Sequence, residues 1–221
     1  MNISVIIPCL NEEPMLERTL SAVIVQDAIS DVVVADGGSS DRSIGIAIKN
    51  GAKVTVGDSG RGTQLNAGWR ASDGEILWFL HADTRPDKRA SNLIIDAFKD
   101  NETSLTAFRL KFESADTRMR LVSLGANLRS IFSRLPYGDQ GLAVRRRDLE
   151  KLGGLPNWEY LEDVWLVEQM RRIGRIKILP GSVSTSPRRY KECGVWNTVR
   201  QHNKIMKYWN QHHEPMPGGR I

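Results

Sequence analysis

Short apolar runs alternate with helical stretches along the first hundred residues of the chain. The runs are rich in β-branched residues, which is typical of buried strands. The stretches between them place apolar side chains at helical spacing, as Leu16, Leu20 and Val23 do. The pattern predicts strands over residues 3–7, 31–35, 53–56 and 75–80, with helices from about 12, from 40 or 41, over 62–71 and over 89–98. This alternation is typical of βαβ units and a mostly parallel sheet.

The second half of the chain has a less regular pattern. It predicts strands over residues 105–112, 141–144 and 176–179, and helices over 118–135 and 163–172. No long linker or repeat separates the two halves, so one α/β domain over residues 1–221 is expected. Residues 1–100 form its first half, and residues 101–221, with a polar tail that contains tryptophans, form its second.

One predicted helix allows two interpretations. Between residues 118 and 135 it carries an apolar stripe with arginines among its members: Leu121, Leu124, Leu128, Phe132 and Leu135. The stripe fits a helix that packs on the core, and it equally fits a helix on a membrane surface. The tail from Trp196 to Trp209 also has two interpretations, a flap over a binding site or a contact between two copies of the chain.

Composition narrows the class of protein. Of the 221 residues 40% are hydrophobic and 26% are charged, and no apolar run approaches the roughly 20 residues of a membrane span. The N-terminal stretch lacks the features of a secretion signal, so cytoplasmic residence is expected. Cys9 and Cys193 have no metal-ligand spacing and are expected to be free thiols. A net charge of +5 favours anionic partners, while nucleic acid is disfavoured because no binding motif for it is recognisable.

Polar residues follow three of the predicted strands. The first strand runs into Pro8, Asn11 and Glu12, the second ends in residues 36–41 (Asp-Gly-Gly-Ser-Ser-Asp), and the fourth is followed by residues 81–84 (His-Ala-Asp-Thr). The carboxyl ends of parallel strands form one edge of a sheet, and ligands of such folds bind there. A turn and a helix cap would account for any one of these segments alone. The three together indicate a binding crevice.

In combination these segments resemble the family 2 glycosyltransferases of the GT-A fold. The family's Pro-x-x-Asn-Glu is matched by Pro8, Asn11 and Glu12, and its Asp-Gly-Ser-Ser-Asp-x-Ser by residues 36–43, which contain one more glycine. Its Gly-Lys/Arg-Gly-x-x-x-Asn-x-Gly is matched by residues 60–68. The resemblance implies a Rossmann-like, mostly parallel sheet flanked by helices. It also implies an inverting, hexosyltransferase-like enzyme that takes a sugar from a UDP- or GDP-linked donor in a single displacement.

The resemblance implies a nucleotide site in the first half of the chain. Asp36 would accept a hydrogen bond from the base, while Pro8 and Glu12 would line the base and ribose. Arg61 would face the diphosphate, because a guanidinium suits phosphate oxygens; a solvated surface position is the alternative. The full set of candidate nucleotide-binding residues is Pro8, Asn11, Glu12, Asp36, Ser39, Arg61, Asn66 and Ala82.

The same resemblance implies a divalent metal ion. Residues 81–83, His-Ala-Asp, stand where the family has its Asp-x-Asp metal motif. Because Mg²⁺ and Mn²⁺ prefer oxygen ligands, Asp83 is the candidate metal ligand, with the diphosphate and waters completing the shell. His81 has three open roles: it binds the ion, contacts the ribose or packs at the strand end.

A Glu-Asp pair in the second half matches the family's catalytic motif. Glu162 and Asp163 open a predicted helix, and by the resemblance Asp163 is the general base that takes the proton of an acceptor hydroxyl. Favourable placement of the pair at the helix N-terminus is the alternative role. Further candidates for contact with the acceptor or with phosphate are Asp139, Gln140, Arg188 and Arg189.

The sequence does not specify the base, the sugar or the acceptor. The expected partners are a nucleotide-sugar donor in the first half and a sugar, lipid or small-molecule acceptor in the second. Peripheral contact with the inner face of the membrane and a homodimer stay open. One rival class is a nucleotide-binding module without activity, which the missing first metal carboxylate favours. Another is a sugar-phosphate nucleotidyltransferase, which needs a glycine-rich basic loop after the first strand, where this chain has Pro-Cys-Leu-Asn-Glu-Glu.

Overall fold

Eight strands form one sheet in residues 1–219, the part of the chain that the computed structural model describes. Apolar and β-branched segments form most of them, because such side chains fit a pleated, buried surface. The strands are β1 (Ile3–Cys9), β2 (Ile29–Asp36), β3 (Lys53–Val56), β4 (Ile76–Phe79), β5 (Thr84–Pro86), β6 (Thr103–Phe112), β7 (Leu142–Arg145) and β8 (Arg175–Thr185). The sheet therefore takes strands from both halves of the chain.

Helices connect the strands and cover both faces of the sheet. A 3₁₀ turn at Gly138–Gln140 precedes β7. The α-helices are α1 (Glu13–Ile24), α2 (Ser43–Lys49), α3 (Arg61–Arg70), α4 (Ala90–Phe98), α5 (Thr117–Ser133), α6 (Arg146–Lys151), α7 (Glu162–Ile173), α8 (Arg188–Cys193) and α9 (Val195–His212).

The order of the strands across the sheet is β3-β2-β1-β4-β7-β6-β8-β5. The pairs β3–β2, β2–β1, β1–β4 and β6–β8 are parallel, and β4–β7, β7–β6 and β8–β5 are antiparallel. Strands β1 to β4 thus form the expected parallel sheet, and β5 to β8 continue it as a mixed sheet. After β1 the chain adds β2 and β3 on one side of it and then β4 on the other side. Ligand crevices form beyond the strand ends where the strand order changes sides in this way.

Two antiparallel pairings bring distant segments to the carboxyl ends of β1 and β4. β7 runs against β4 with Leu142 opposite Phe79, so the loop before β7 lies beside the segment after β4. β8 runs against β5 with Thr185 opposite Thr84, so the segment after β8 lies beside Asp83. The register of the sheet therefore gathers residues from distant parts of the chain at one edge.

The core lies on both faces of the sheet. On β1, Val5 and Ile7 pack on the face covered by α1 and α4, and Ile6 packs on the opposite face with α3 and α7. Residues Ile76–Phe79 of β4 are all buried, as their continuous apolar run predicts. These two strands form the rigid centre from which the loops at the sheet edge project.

Both cysteines are free thiols, as expected. Cys9 ends β1 and is buried, and burial raises the pKa of its thiol to about 11. A thiol with so high a pKa stays protonated at neutral pH and is a poor nucleophile.

The predicted elements of the first half are present, with ends shifted by a few residues. The second half differs more, because β8 is longer than predicted and β5, α6, α8 and α9 were not predicted as elements. The polar tail forms the long helix α9, in which Ile205 and Trp209 are buried. The indole Nε1 of Trp209 donates to Oε1 of Glu168 at 2.8 Å, so α9 is fixed to α7.

Four of the five residues of the apolar stripe do not pack on the core, and only Leu135, which follows α5, is partly buried against it. Leu121, Leu124, Leu128 and Phe132 are 59%, 53%, 44% and 80% exposed, so the interpretation of α5 as a core-facing helix along this stripe is wrong. Asn127 instead ties the helix to β6, and its buried residues are Met119, Ala126 and Ser130. Among the helices of residues 1–219, none has the length and apolar character that crossing a membrane requires.

Candidate active site

A cleft opens at the carboxyl ends of β1 and β4. Its cavity measures about 360 Å³ and is bounded by the segments after β1, β4 and β8, by α3 and by α9. Glu162 and Asp163 lie around a small adjoining cavity. The cleft is lined by the predicted site residues Pro8, Glu12, Arg61, Ala82, Asp83, Asp139, Arg188 and Arg189.

At one side the loop after β2 is held against the loop after β1. Asp36 is buried, and its carboxylate accepts hydrogen bonds from Gly38 N at 2.9 Å, from Ser39 N at 2.7 Å and from Ser39 Oγ at 2.5 Å. Ser39 Oγ accepts from Asn11 N at 2.8 Å, and Asn11 Oδ1 accepts from Ser40 N at 2.8 Å. Asn11 has a φ of +54°, which asparagine tolerates better than most residues. Asn11, Asp36 and Ser39 thus hold one another and do not line the cavity.

Arg61 connects the cleft to the start of α7. Its Nε lies 2.5 Å from Oε1 of Glu162, whose side chain is buried. Its Nη1 lies 3.3 Å from Nε2 of His81. The Arg61 side chain is 25% exposed. These two contacts fix the guanidinium at the cleft, so the alternative of a solvated surface charge is wrong.

The groups around Arg61 have shifted pKa values. Burial, followed by the charge of Arg61, lowers the pKa of His81 to about 4. The ring is therefore neutral at pH 7, and its Nε2 can accept from the guanidinium. Burial raises the pKa of Glu162 to about 7, while the charge of Arg61 opposes this rise. The contact between Arg61 and Glu162 thus lies inside the protein, with the Glu162 side chain only 1% exposed.

Asp163 is held by backbone N–H groups. Its Oδ2 accepts from Gly138 N at 2.6 Å, and its Oδ1 accepts from Val164 N at 2.9 Å. Burial would raise the pKa of Asp163, but the charge of Arg61 and the Gly138 N–H outweigh burial and lower it. The carboxylate is therefore ionised at neutral pH. Leu161, with a φ of +66°, occupies the N-cap of α7, so Asp163 lies in the first turn rather than at the cap.

Asp83 follows β4 and lines the cleft. Its Oδ1 accepts from Thr185 Oγ1 at 3.2 Å and from Thr84 Oγ1 at 3.4 Å. The neighbouring Ala82 accepts a hydrogen bond from Thr19 Oγ1 of α1 at its carbonyl oxygen, at 2.7 Å. The segment after β4 is therefore fixed from two sides while Asp83 lines the cavity.

An ion pair joins two distant segments of the chain across the cleft. Nη2 of Arg188 lies 2.7 Å from Oε1 of Glu12. Burial raises the pKa of Glu12, and the hydrogen bond from Arg188 opposes the rise. Burial also lowers the pKa of Arg189, the next residue along the cleft wall. The sheet register at β5 and β8 thus delivers both arginines to the site.

The loop before β7 contributes Asp139 but not Gln140. Burial raises the pKa of Asp139 to about 6, against the charge of Arg129, and its Oδ1 has no hydrogen-bond partner within residues 1–219. Gln140 is buried; its Nε2 donates to Phe108 O at 2.8 Å and its Oε1 accepts from Ser130 Oγ at 2.6 Å. Gln140 therefore fixes the loop to β6 and α5 and does not line the cavity.

Asn66 also serves the scaffold rather than the cavity wall. Its side chain is buried, and Nδ2 donates to Leu155 O at 2.7 Å and to Asn157 Oδ1 at 2.8 Å. Its Oδ1 accepts from Trp69 Nε1 at 3.0 Å and from Leu155 N at 3.0 Å. Asn66 thus attaches α3 to the loop that leads into α7.

The cleft wall also contains residues that were not assigned to the site from the sequence, among them Gln64 and Tyr190, and it contains His202 of the tail. Gln64 donates from Nε2 to Cys9 O at 2.8 Å and to Ala35 O at 2.9 Å, which ties α3 to the ends of β1 and β2. Its position one helical turn after Arg61 is the signal that was available. His202 belongs to α9, so the tail does cover part of the cleft, as its flap interpretation predicted.

Comparison with protein families identifies the chain. The family model described as glycosyl transferase family 2 matches residues 4–153, more than half of the sequence. This chain belongs to glycosyl transferase family 2. The match includes the strand-end segments and Asp83, and it ends before Glu162.

Curated relatives of this family 2 member are similar over most of its length. A probable glycosyltransferase, YdaM, from Bacillus subtilis is 26% identical over 210 residues, which cover 82% of this chain and 50% of the relative. An uncharacterised glycosyltransferase from Nostoc is 26% identical over 202 residues, 81% of this chain and 62% of the relative. The chain therefore spans only about half to three fifths of the length of these curated relatives.

Solved structures confirm the predicted fold class. A mannosyltransferase from Pyrobaculum calidifontis, solved with GDP-Man and Mn²⁺, aligns with a TM-score of 0.64 at 22% identity, over 84% of this chain and 56% of that one. A glucosyl-3-phosphoglycerate synthase from Mycobacterium tuberculosis, solved with Mn²⁺, UDP and glucosyl-3-phosphoglycerate, aligns with a TM-score of 0.62 at 21% identity, over 84% and 70%. The family 2 chain thus has a GT-A fold, with a mixed sheet flanked by helices.

The cleft of this family 2 chain offers few groups for a metal ion. Within residues 1–219 no group of three or more histidine, cysteine or acidic side chains is arranged to hold one. Asp83 supplies a carboxylate, whereas Nε2 of His81 is occupied by Arg61. Mg²⁺ and similar ions bound with phosphates commonly take only one or two carboxylates from the protein. The residues present fit an ion that is shared with a bound diphosphate.

Proposed function

We propose that this chain is an inverting glycosyltransferase that moves a sugar from a UDP- or GDP-linked donor to an acceptor hydroxyl, with Mn²⁺ or Mg²⁺ as its cofactor. The observation that carries the proposal is the ionised carboxylate of Asp163, held at 2.6 Å by Gly138 N beside the cleft that Asp83 lines. An ionised carboxylate next to a ligand-sized cavity is suited to general-base chemistry. Family membership supports the reaction class.

The donor nucleotide occupies the side of the cleft formed by the loops after β1 and β2. Pro8 and Glu12 line the base and ribose, and Asp36 accepts a hydrogen bond from the base. Asp36 now binds Gly38 and Ser39 within its own loop, so the base would share or replace one of these contacts. Solved relatives that hold GDP-Man or UDP-GlcNAc support a nucleoside diphosphate donor.

The diphosphate lies between Arg61 and Asp83. Asp83 would hold the divalent ion, and the ion would stabilise the charge that develops on the departing nucleoside diphosphate. Mn²⁺ in the solved relatives supports this cofactor. Glu162 acts as a positioning residue, because its contact with Nε of Arg61, together with the contact of Nη1 with His81, fixes the guanidinium at the cleft, where Nη2 can donate to a phosphate oxygen. Arg188 and Arg189 add positive charge at the same cleft.

Asp163 is the general base. Its carboxylate accepts the proton of the acceptor hydroxyl while the new C–O bond forms at the anomeric carbon and the bond to the diphosphate breaks. The low pKa of Asp163 keeps the carboxylate ionised and ready to accept the proton. Attack from the face opposite the leaving group inverts the anomeric centre, so no covalent intermediate with the protein is required.

The wider proposal concerns the organisation of the chain and its surroundings. Residues 1–100 bind the nucleotide sugar and residues 101–221 bind the acceptor, within a single domain. The acceptor is a sugar, a lipid or a small molecule, and Asp139 contacts it from the loop before β7. The protein resides in the cytoplasm, at the inner face of the membrane where its acceptor is a lipid, and a homodimer is compatible with the exposed faces of α5 and α9.

Crowding at Gly138 gives a local test of Asp163. A Cβ at this position would lie 3.0 Å from Oδ2 of Asp163 and 3.0 Å from Nε2 of His81. We expect Gly138→Ala to displace the carboxylate by a few tenths of an ångström and to lower turnover about tenfold, because misplacement of reacting groups is costly. Steady-state transfer rates measure the effect. Gly45→Ala is the control, since a Cβ there meets nothing within 4 Å; equal losses in both variants would contradict the role of the Gly138 contact.

A thermal-shift screen tests the proposed function directly. We expect UDP or GDP with Mn²⁺ to raise the melting temperature, by about 5–10 °C at a hundred times the dissociation constant, because binding stabilises the native state. Nucleotide-sugar hydrolysis by the same samples then separates an enzyme from a nucleotide-binding module, which would show the shift without hydrolysis. Absence of any shift with all nucleoside diphosphates would refute the proposal.

A further inference from the structure

A second cavity lies between α5 and α9. It measures about 360 Å³, and its floor is formed by Leu110 of β6. Its walls are mostly apolar, with Leu121 and Val122 on α5 and Trp196 and Met206 on α9. We refer to this cavity as the α5–α9 groove. An apolar groove on a protein surface is suited to a hydrocarbon ligand, since burial of each methylene in it is favourable.

The groove is continuous with the candidate active site. Asp139, Tyr190 and His202 line both the groove and the cleft. At this junction His202 stacks on Tyr137 with ring centroids 5.2 Å apart. Asp139 is the acidic group at the junction, and its Oδ1 has no hydrogen-bond partner in the described chain. A ligand that runs along the groove would therefore bring a polar head group to the cleft and its acidic residues.

The outer side of α5 indicates where such a ligand comes from. Leu121, the first residue of the exposed stripe, lines the groove, and Leu124, Leu128 and Phe132 continue the stripe along α5. On the α9 side of the groove, Trp196 is 61% exposed. Residues 117–138 contain four arginines and no acidic residue. Residues 193–213 likewise contain Arg200, Lys204 and Lys207 and no acidic residue. Exposed apolar side chains among cations are complementary to an anionic lipid surface.

We propose that the α5–α9 groove binds the hydrocarbon chain of an acceptor lipid, presented from an anionic bilayer against which the stripe of α5 rests. The lipid's head group carries the nucleophilic hydroxyl and reaches Asp163 past Asp139. This assignment rests on the proposed glycosyltransferase function and specifies the class of its acceptor.

Alkyl glucosides of increasing chain length probe the groove. Hexyl, octyl and decyl β-glucoside carry the same neutral head, so differences in their affinity report the chain alone. We expect the dissociation constant, measured by calorimetry below the critical micelle concentrations, to fall by up to about fourfold for each added methylene. Equal affinity for the three glucosides would overturn the proposal.

A groove-filling variant locates the binding. A Cβ at Gly125 of α5 meets nothing within 4 Å, and this residue lines the groove. Gly125→Leu should therefore fill the groove without straining the fold, and the helix itself should gain from the loss of glycine. We expect the chain-length dependence to disappear in this variant. Gly45→Leu on α2 is the matched control, since Gly45 is also helical and its Cβ also meets nothing within 4 Å; persistence of the dependence in Gly125→Leu would overturn the assignment.

Vesicles test the bilayer as the source of the lipid. We expect the protein to sediment with vesicles of phosphatidylglycerol and phosphatidylcholine at least tenfold more than with phosphatidylcholine alone. The double variant Leu128→Ser, Phe132→Ser changes only exposed side chains and should lose most of this binding. Unchanged sedimentation of the variant, or no sedimentation of the wild type, would overturn the bilayer assignment. A dimer in analytical ultracentrifugation that Gly125→Leu abolishes would also overturn it, because a second copy of the chain would then cover the groove.

The nucleotide readout keeps the two proposals separable. The melting-temperature shift caused by UDP or GDP with Mn²⁺ should be the same in wild type, Gly125→Leu and Gly45→Leu, because the groove does not contact the loops after β1 and β2. A normal nucleotide shift without chain-length dependence would refute the groove alone. Chain-length dependence without any nucleotide shift would refute the glycosyltransferase proposal and leave an apolar ligand site.

Discussion

Asp163→Asn is expected to lower the rate of sugar transfer by about 10²–10⁴-fold, because the amide cannot accept the proton of the acceptor hydroxyl. Affinity for the nucleoside diphosphate should barely change, since the Asp163 carboxylate is held by Gly138 N and Val164 N and lies outside the loops after β1 and β2. The variant keeps the size of the side chain. Transfer rate, nucleotide affinity and melting temperature, measured on the same preparation, separate loss of chemistry from loss of structure.

The structure sets the stability expected of this variant. Asp163 accepts from Gly138 N at its Oδ2 and from Val164 N at its Oδ1, and asparagine has only one oxygen for these two donors. One N–H is then left facing an amide NH₂, at a cost of about 1–3 kcal/mol. For a chain of this size that cost corresponds to a fall in melting temperature of roughly 2–4 °C per kcal/mol. The rates should therefore be compared well below the melting temperature.

Asp148→Asn is the matched control. Asp148 also lies in the first turn of a helix, α6, but outside the cleft. We expect its transfer rate to stay near that of the wild type. If Asp163→Asn retained near-normal turnover, Asp163 would not be the base, whatever its effect on stability. If Gly138→Ala lowered turnover as much as Asp163→Asn, position rather than proton affinity would explain the loss.

The centre of the fold could be predicted from the sequence because local patterns determine it. The strands β1, β2 and β4 contain runs of buried apolar residues, and parallel pairing of β1 to β4 follows from the helices between them. Polar residues directly after such strands must lie at one sheet edge, so Pro8, Glu12 and Asp83 were expected together and do line one cleft. No long-range information was needed for this half of the site.

The second half of the site depends on pairings that the sequence does not encode locally. Arg188 reaches Glu12, 176 positions away, only because β8 runs antiparallel to β5 with Thr185 opposite Thr84. β5 has three residues, too few for any pattern to be visible. Gly138 also reaches Asp163 through a distant pairing. The register of β7 against β4 decides where the loop before β7, which contains Gly138, lies.

Side chains can also satisfy a motif without lining the cavity. Asn66 fits the glycine-rich motif, yet both polar atoms of its amide bind the loop at Leu155 and Asn157. The stripe on α5 has helical spacing, yet Asn127 fixes a different side of this helix to β6. In both cases the sequence pattern is present, but only the tertiary packing decides which groups these side chains contact.

Asp83→Asn is expected to abolish most of the effect of Mn²⁺ on nucleotide binding and to lower transfer about a hundredfold. A metal ion that neutralises the leaving diphosphate contributes several kcal/mol, and each 1.4 kcal/mol is about a factor of ten in rate. The local structure should survive, since the amide oxygen of asparagine can still accept from Thr185 Oγ1, as Asp83 Oδ1 does at 3.2 Å. Titration calorimetry with UDP or GDP, in Mn²⁺ and in EDTA, measures the metal effect.

The donor set of the cleft makes this prediction sharper. Because residues 1–219 contain no cluster of three or more metal-binding side chains, Mn²⁺ alone should bind the wild type weakly and should bind well only with the diphosphate. Asp96→Asn, a change to an exposed carboxylate on α4, controls for the loss of one negative charge. If Asp83→Asn kept the full difference between Mn²⁺ and EDTA, another group would have to hold the ion. His81→Ala would then be the next variant, since a loss of the metal effect in it would transfer the ligand role to His81. The same change removes one of the two contacts of Arg61.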